Sequence, residues 1–160
     1  MAKEKNPMTP GLRFLKDAGA AFEIHSYKYV DKGGTGEASR ALGVDEFMVV
    51  KTLVFEDENK RPLLALMHGD RQVSTKNLAR ELGVKAITPC SPDAAGKHTG
   101  YLVGGISPFG TKKELPVYVE QTIFDLEKIY INAGKRGLLV EISPLELKRL
   151  LKAAPVNSAL

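Results

Sequence analysis

The chain has 160 residues, 43% of them hydrophobic and 26% charged, which suits one folded domain and excludes a disordered or low-complexity chain. No apolar run approaches the ~18–20 residues needed to span a bilayer, and a single cysteine, Cys90, leaves no internal disulfide, so the expected compartment is the cytoplasm. With 23 basic and 19 acidic residues the formal charge is +4, a mild bias that favours approach to a polyanion without requiring one.

The charged N-terminal stretch MAKEKNPMTP precedes no apolar segment, unlike a secretory signal. In TPGLRFLKDAGA, Thr9 can cap a first helix and Pro10 suits its first position; Leu12, Leu15 and Ala18 share a face, and Gly19 stops it. AFEIHSYKY alternates Phe22 and Ile24 with Glu23, His25 and Tyr27, the period of a strand. DKGGTGE, from Asp31 to Glu37, reads as a flexible connection ahead of a short helix, EASRALG. FMVVKTLVF, from Phe47 to Phe55, predicts a strand, and the polar turn EDENKR joins it to PLLALMH as a hairpin.

STKNLARELG predicts a helix capped by Ser74 or Thr75 and stopped at Gly83. KAITP reads as a short strand, and SPDAAGK as a helix starting at Ser91 and Pro92. Thr99 to Glu120 is dense in Gly and Pro, with strand-like pieces at YLV and PVYVE. KIYINAGKRGLLVEIS predicts two strands joined around NAGKRG. In SPLELKRLL, Ser143 and Glu146 have the spacing of a capping box, and the tail KAAPVNSAL is expected to fray. Several joins are too short for parallel crossovers. The expected fold is one α+β domain over residues 1–160, with its core at about 8–151. It has a mixed, largely antiparallel sheet, curled or a partial barrel, flanked by helices.

Lys51 lies at the centre of an otherwise apolar strand. An unpaired ammonium resists burial, which leaves two readings. Its head group reaches a sheet edge or a carboxylate, or it lines a pocket floor with Thr52 and meets an anion or a carbonyl. Neighbours on a strand face opposite sides, so Thr52 would act through its backbone or from the other face. GYLVGGISPFG, with Gly104, Gly105, Ser107 and Pro108, is either an ordinary tight loop or a backbone surface open to a ligand. It is neither a phosphate loop nor a dinucleotide fingerprint. NAGKRG, with Asn132, Gly134, Lys135 and Arg136, is either a solvated turn or a fixed loop offering two cations to a phosphate. His25, His68 and His98 are far apart in the sequence, without acidic or thiol partners at ligand spacing, so no metal is expected. Cys90 reads as a small buried residue whose alkylation would leave activity largely intact.

VVKTLV, TGYLVGGISPFGTKK and NAGKRGL, in that order, resemble the YbaK family of Cys-tRNA(Pro) deacylases, which is similar to the editing domain inserted in bacterial prolyl-tRNA synthetases. MTPGLRFLKDAGAAFEIHSY fits the family's first helix and strand, and the resemblance runs from about Met8 to Leu151. It implies a trans-editing hydrolase that clears cysteine from mischarged tRNA(Pro). A second site is needed because cysteine is too close to proline in size for a binding pocket to reject it well. The implied partners are aminoacyl-tRNA and prolyl-tRNA synthetase, with no cofactor, DNA or membrane.

The family lacks an enzymic nucleophile; the substrate thiol attacks its own ester, so orientation supplies much of the catalysis. By position Lys51 is the family's essential lysine, implied to hold the aminoacyl-adenosine end and to stabilise developing negative charge. Gly104 to Pro108 matches the GxxxP element beside the amino-acid pocket, Tyr27 and Thr52 match pocket positions, and Asn132 to Gly137 match the loop near the terminal nucleotide. Two positions depart from the family pattern. GGTGEAS lacks the aromatic residue found before the acidic segment, and Leu139 stands where some Cys-specific members carry an acid. The rival readings are a deacylase for another amino acid such as alanine, and a non-catalytic module that grips tRNA or the synthetase.

Overall fold

The computed structural model describes residues 8–160; residues 1–7, most of the charged N-terminal stretch, lie outside the described residues. The elements run α1 (Pro10–Asp17), β1 (Phe22–Ser26), α2 (Gly34–Leu42), β2 (Val49–Asp57), β3 (Pro62–His68), α3 (Thr75–Leu82), β4 (Ile87–Pro89), α4 (Pro92–Thr99), β5 (Val117–Glu120), β6 (Ile129–Lys135), β7 (Leu138–Ile142), α5 (Leu145–Leu151) and β8 (Ala154–Val156). Thr9, Ser74 and Ser91 cap α1, α3 and α4, each hydroxyl accepting from a backbone N–H of the first turn. Gly19 and Gly83 end α1 and α3 in the left-handed region, as their positions in the sequence require.

The strands form one mixed sheet in the order β1-β7-β6-β2-β3-β5-β8, with β4 also on β2. β1–β7, β2–β3, β2–β4 and β6–β7 are antiparallel; β2–β6, β3–β5 and β5–β8 are parallel. The sheet separates the apolar clusters by strand alternation. Val50 and Val54 join Leu12, Leu15 and Leu147 of α1 and α5. Val49 packs with Ala38 of α2, Tyr130 and Leu139. Phe55 packs with Leu78 and Ala79 of α3. Burying a leucine such as Leu12, at 1% exposure, contributes roughly 1.5–3 kcal/mol over leaving it in water.

Four expectations are corrected. α2 begins at Gly34, inside the expected flexible connection. Its glycine-rich first turn is braced where Thr35 Oγ1 donates to Glu46 Oε2 at 2.8 Å. YLV is not a strand: Gly105 N donates to Leu102 O at 2.8 Å, and the chain closes into a turn. Ser143 and Glu146 form no reciprocal capping box. The Glu146 carboxylate turns to Arg149 at 2.6 and 2.7 Å, and Ser143 Oγ accepts from Leu145 N. The tail does not fray, because β8 adds to β5 and Glu120 Oε1 accepts from Ser158 N and Ala159 N at 2.8 and 3.2 Å. Glu120 is buried, and those two N–H groups help to satisfy its carboxylate.

Candidate active site

β3 pairs with one edge of β2 from Val50 to Glu56, while two short strands share the other edge. β6 takes Val49 and Val50; β4 takes Phe55 to Asp57, and Cys90 N donates to Val54 O at 2.9 Å. Lys51, Thr52 and Leu53 border the gap between β6 and β4, and a cavity of about 580 Å³ lies along it. That volume falls in the range of small-molecule sites.

Alternation explains how an apolar strand carries an ammonium here. Thr52 shares the face of Val50 and Val54, and Lys51 takes the opposite one. On that face Lys51 emerges between the cluster under α2 and the cluster under α3, where neither closes over it. Both residues border the cavity, one from each face of the strand. The Thr52 hydroxyl is buried and lacks a protein hydrogen-bond partner. Lys51 Nζ donates to Gly69 O at 3.3 Å. Burial pushes the Lys51 ammonium below the ordinary lysine value, against the pull of the Glu46 and Asp70 carboxylates.

The facing wall is made of turns. Gly104 has φ +91°, and a Cβ there would stand 2.7 Å from Tyr29 Oη. A side chain is therefore excluded both by backbone strain and by the ring. Arg136 Nε donates to Val103 O at 2.9 Å, and its guanidinium lies 5.1 Å from the Tyr29 ring centroid. Asn132 Nδ2 donates to Gly104 O and Lys135 O, while its Oδ1 accepts from Gly134 N and Lys135 N. These contacts tie the two turns together.

Of the residues read from the sequence, the structure brings Tyr27, Lys51, Thr52, Gly104, Asn132 and Arg136 to the cavity wall. Burial holds the Tyr27 phenol above its ordinary value. Gly105, Ser107, Pro108, Gly134 and Lys135 do not line it. Gly105 backs onto the main chain of Lys135 and Arg136. Ser107 is fully buried, and its Oγ accepts from Phe109 N. Pro108 lines a separate, smaller hollow beside Leu150 and Leu151. The Tyr101 ring fills the space beside Gly134, and Lys135 points to solvent. The C-terminal half of the glycine-rich segment is thus an anchor. Tyr101 Oη donates to Phe109 O at 2.6 Å, burial pushes that phenol up to about 12, and Phe109 packs on Phe14.

Leu139, singled out in the sequence as a departure from the family pattern, lies on the wall, whereas sequence reasoning missed Tyr29, Thr35 and Ala38 as wall residues and Glu46 and Gly69 as the supports of Thr35. Tyr29 had a faint signal in its spacing from Tyr27; Thr35 and Gly69 had none. The side chain of Cys90 lines the cavity instead of being sealed in the core. Burial and the Glu56 carboxylate push its thiol up to about 11, so it is protonated and weakly nucleophilic at neutral pH. Tertiary contact also does what local spacing does not: it gathers Glu56, Cys90 and His98 in one place and Glu23, His25 and Glu141 in another. Both histidines already have protein partners, His98 with Lys113 at 3.0 Å and His25 with Glu141 at 2.9 Å.

Residues 33–150 match the sequence model of a family described as the aminoacyl-tRNA editing domain. EbsC of Enterococcus faecalis, provisionally named a Cys-tRNA(Pro)/Cys-tRNA(Cys) deacylase, is 28% identical over 146 residues, covering 90% of this chain and 89% of that protein. A proline–tRNA ligase of Limosilactobacillus fermentum is 26% identical over 105 residues, which are 63% of this chain but 18% of the ligase. The crystal structure of a provisionally named trans-editing enzyme for prolyl-tRNA synthetase superposes with a TM-score of 0.84 at 23% identity. It covers 96% of this chain and 99% of that one, and so shares the fold.

Proposed function

The chain belongs to the aminoacyl-tRNA editing domain family, and from that premise we propose that residues 1–160 form one editing domain that hydrolyses mischarged Cys-tRNA(Pro) in trans, beside prolyl-tRNA synthetase. The observation that carries the reading is the Lys51 ammonium standing in a cavity at the split of the sheet, opposite the Gly104 turn. An ammonium has three N–H donors, and Gly69 O occupies one of them. The others are available to the ester carbonyl, where negative charge develops as the tetrahedral intermediate forms.

The Cys90 thiol on the wall is held protonated and is a weak nucleophile. The family resemblance implies that the substrate's own sulfur attacks instead. The cysteinyl thiol attacks its ester carbonyl, a C–S bond forms, and the C–O bond to the terminal ribose breaks. The thiol proton leaves with the ribose oxygen, and water later opens the released thiolactone. Holding the two ends of one substrate in reacting geometry is worth several orders of magnitude in rate. Arg136, over the Tyr29 ring at the cavity wall, is placed to meet the nucleotide end.

Ala38, Val49 and Leu139 make one part of the wall aliphatic, which supports a second reading with alanine as the residue removed; alanine has no thiol, so water attacks the ester in that reading. The test is a deacylation time course on Cys-, Ala- and Pro-charged tRNA(Pro) with wild type and Lys51→Ala. We expect Lys51→Ala to lose at least ~100-fold in rate, the scale of a lost oxyanion donor. Near-wild-type turnover by Lys51→Ala removes the lysine from the mechanism, and equal inertness toward all three substrates leaves a binding module.

A further inference from the structure

Gly69, directly after β3, is tied on three sides. Its N–H donates to Val49 O at 2.6 Å, and its carbonyl oxygen faces both Lys51 Nζ at 3.3 Å and Thr35 Oγ1 at 3.1 Å. Thr35 lies in the first turn of α2, and its single hydroxyl proton is shared between Gly69 O and the nearer Glu46 Oε2 at 2.8 Å. The Glu46 carboxylate is one of the two that favour the charged form of Lys51. Residue 69 has no room for a side chain: a Cβ would stand 2.6 Å from Thr35 Oγ1, 2.7 Å from Thr35 Cβ and 2.8 Å from Val49 O. His68, one residue before, is fixed by hydrogen bonds to Phe47 O and Thr122 Oγ1, both 2.7 Å, and by stacking on the Phe47 ring.

We propose that Thr35 and Gly69 are positioning residues for Lys51: the Gly69 carbonyl aims the ammonium across the cavity, and the Thr35 hydroxyl, whose one proton Gly69 O shares with Glu46 Oε2, ties that carbonyl to the start of α2 beside the site. Neither residue is asked to touch the reacting atoms. The absence of a side chain at 69 is what lets a helix turn and a strand lysine share one acceptor. The inference rests on Lys51 acting on the ester as described above.

The experiment measures deacylation by Thr35→Val, Thr35→Ser, Lys51→Ala and the Thr35→Val/Lys51→Ala double variant. In parallel, NMR follows the side-chain signals of Lys51 in lysine-labelled protein. A small misplacement of a catalytic group costs on the order of 10–100-fold. Thr35→Val is therefore expected to lower kcat about 10-fold with a smaller change in KM, Thr35→Ser to restore it, and Thr35→Val to add less than about 2-fold in the Lys51→Ala background. The Lys51 signals shift in Thr35→Val and return in Thr35→Ser. Wild-type kcat with unmoved Lys51 signals overturns the proposal, as does an equal loss from Thr35→Val in both backgrounds, which marks a purely structural role. If Lys51→Ala is itself fully active, the catalytic reading fails, and the NMR comparison still decides whether Thr35 positions the lysine. Should Thr35→Val fail to fold, Thr35→Ala carries the same comparison.

Discussion

On one wall of the cavity Lys51 stands on a strand that pairs with β3 from Val50 to Glu56; on the other, Gly104 and Arg136 stand on turns joined by side-chain hydrogen bonds. The first wall is held by a backbone ladder and by the Gly69 carbonyl, so it resists displacement. The second is held by side-chain hydrogen bonds from Asn132 and Arg136 and by the Tyr101 anchor. Rigid elements hold a reacting group more closely than loops do. On the function proposed above, the strand wall does the chemistry and the turn wall captures the ligand.

The most direct way to break that division is to compare Lys51→Ala with Arg136→Ala under saturating and limiting substrate. The strand variant is expected to lose its ~100-fold in kcat, whereas the turn variant raises KM by about 10-fold with kcat nearly kept. A large kcat loss in Arg136→Ala would place chemistry on both walls.

A smaller effect tests the anchor behind the turns. Tyr101→Phe removes the hydroxyl that donates to Phe109 O, inside a buried contact. Losing it should cost about 1–3 kcal/mol in chemical denaturation, with the same m-value as wild type. No loss of stability would mean that the segment is held by Phe109 packing alone.

The smallest expected effect sharpens the strand side. Burial lowers the Lys51 value in the folded state, so the native protein disfavours the charged form. Below the lowered folded value the lysine is charged both in the folded and in the unfolded chain, and the full penalty applies. It is relieved as pH rises from the lowered folded value toward the unfolded value of roughly 10.4, where the unfolded chain holds more protons. Lys51→Met should therefore raise the unfolding midpoint at pH 7 while abolishing turnover, and this gain should shrink in alkali. A lower midpoint at pH 7 would show that the Gly69 and carboxylate contacts outweigh burial.

Much of the scaffold was readable along the chain because its causes are local. Thr9, Ser74 and Ser91 announce helix starts by capping backbone N–H groups within three residues. β-branched content marks β2, β6 and β7, and a short apolar run bounded by polar turns marks β3. Two of the errors fall where a distant partner decides. The glycine-rich turn of α2 has poor intrinsic helix propensity and is braced by Glu46 and Gly69. The tail becomes β8 because β5 and Glu120 receive it.

The order of residues by itself determined the mixed α+β character, the family resemblance and the anomaly of an ammonium at position 51. Only the tertiary structure decided that β6 and β4 part beside that lysine and leave it a cavity. It also separated Arg136 from Lys135, and Gly104 from Ser107 and Pro108, within motifs that read as single units. The reason is physical: periodicity shows which side of a strand a residue faces, while the space on that side depends on which other elements pack there.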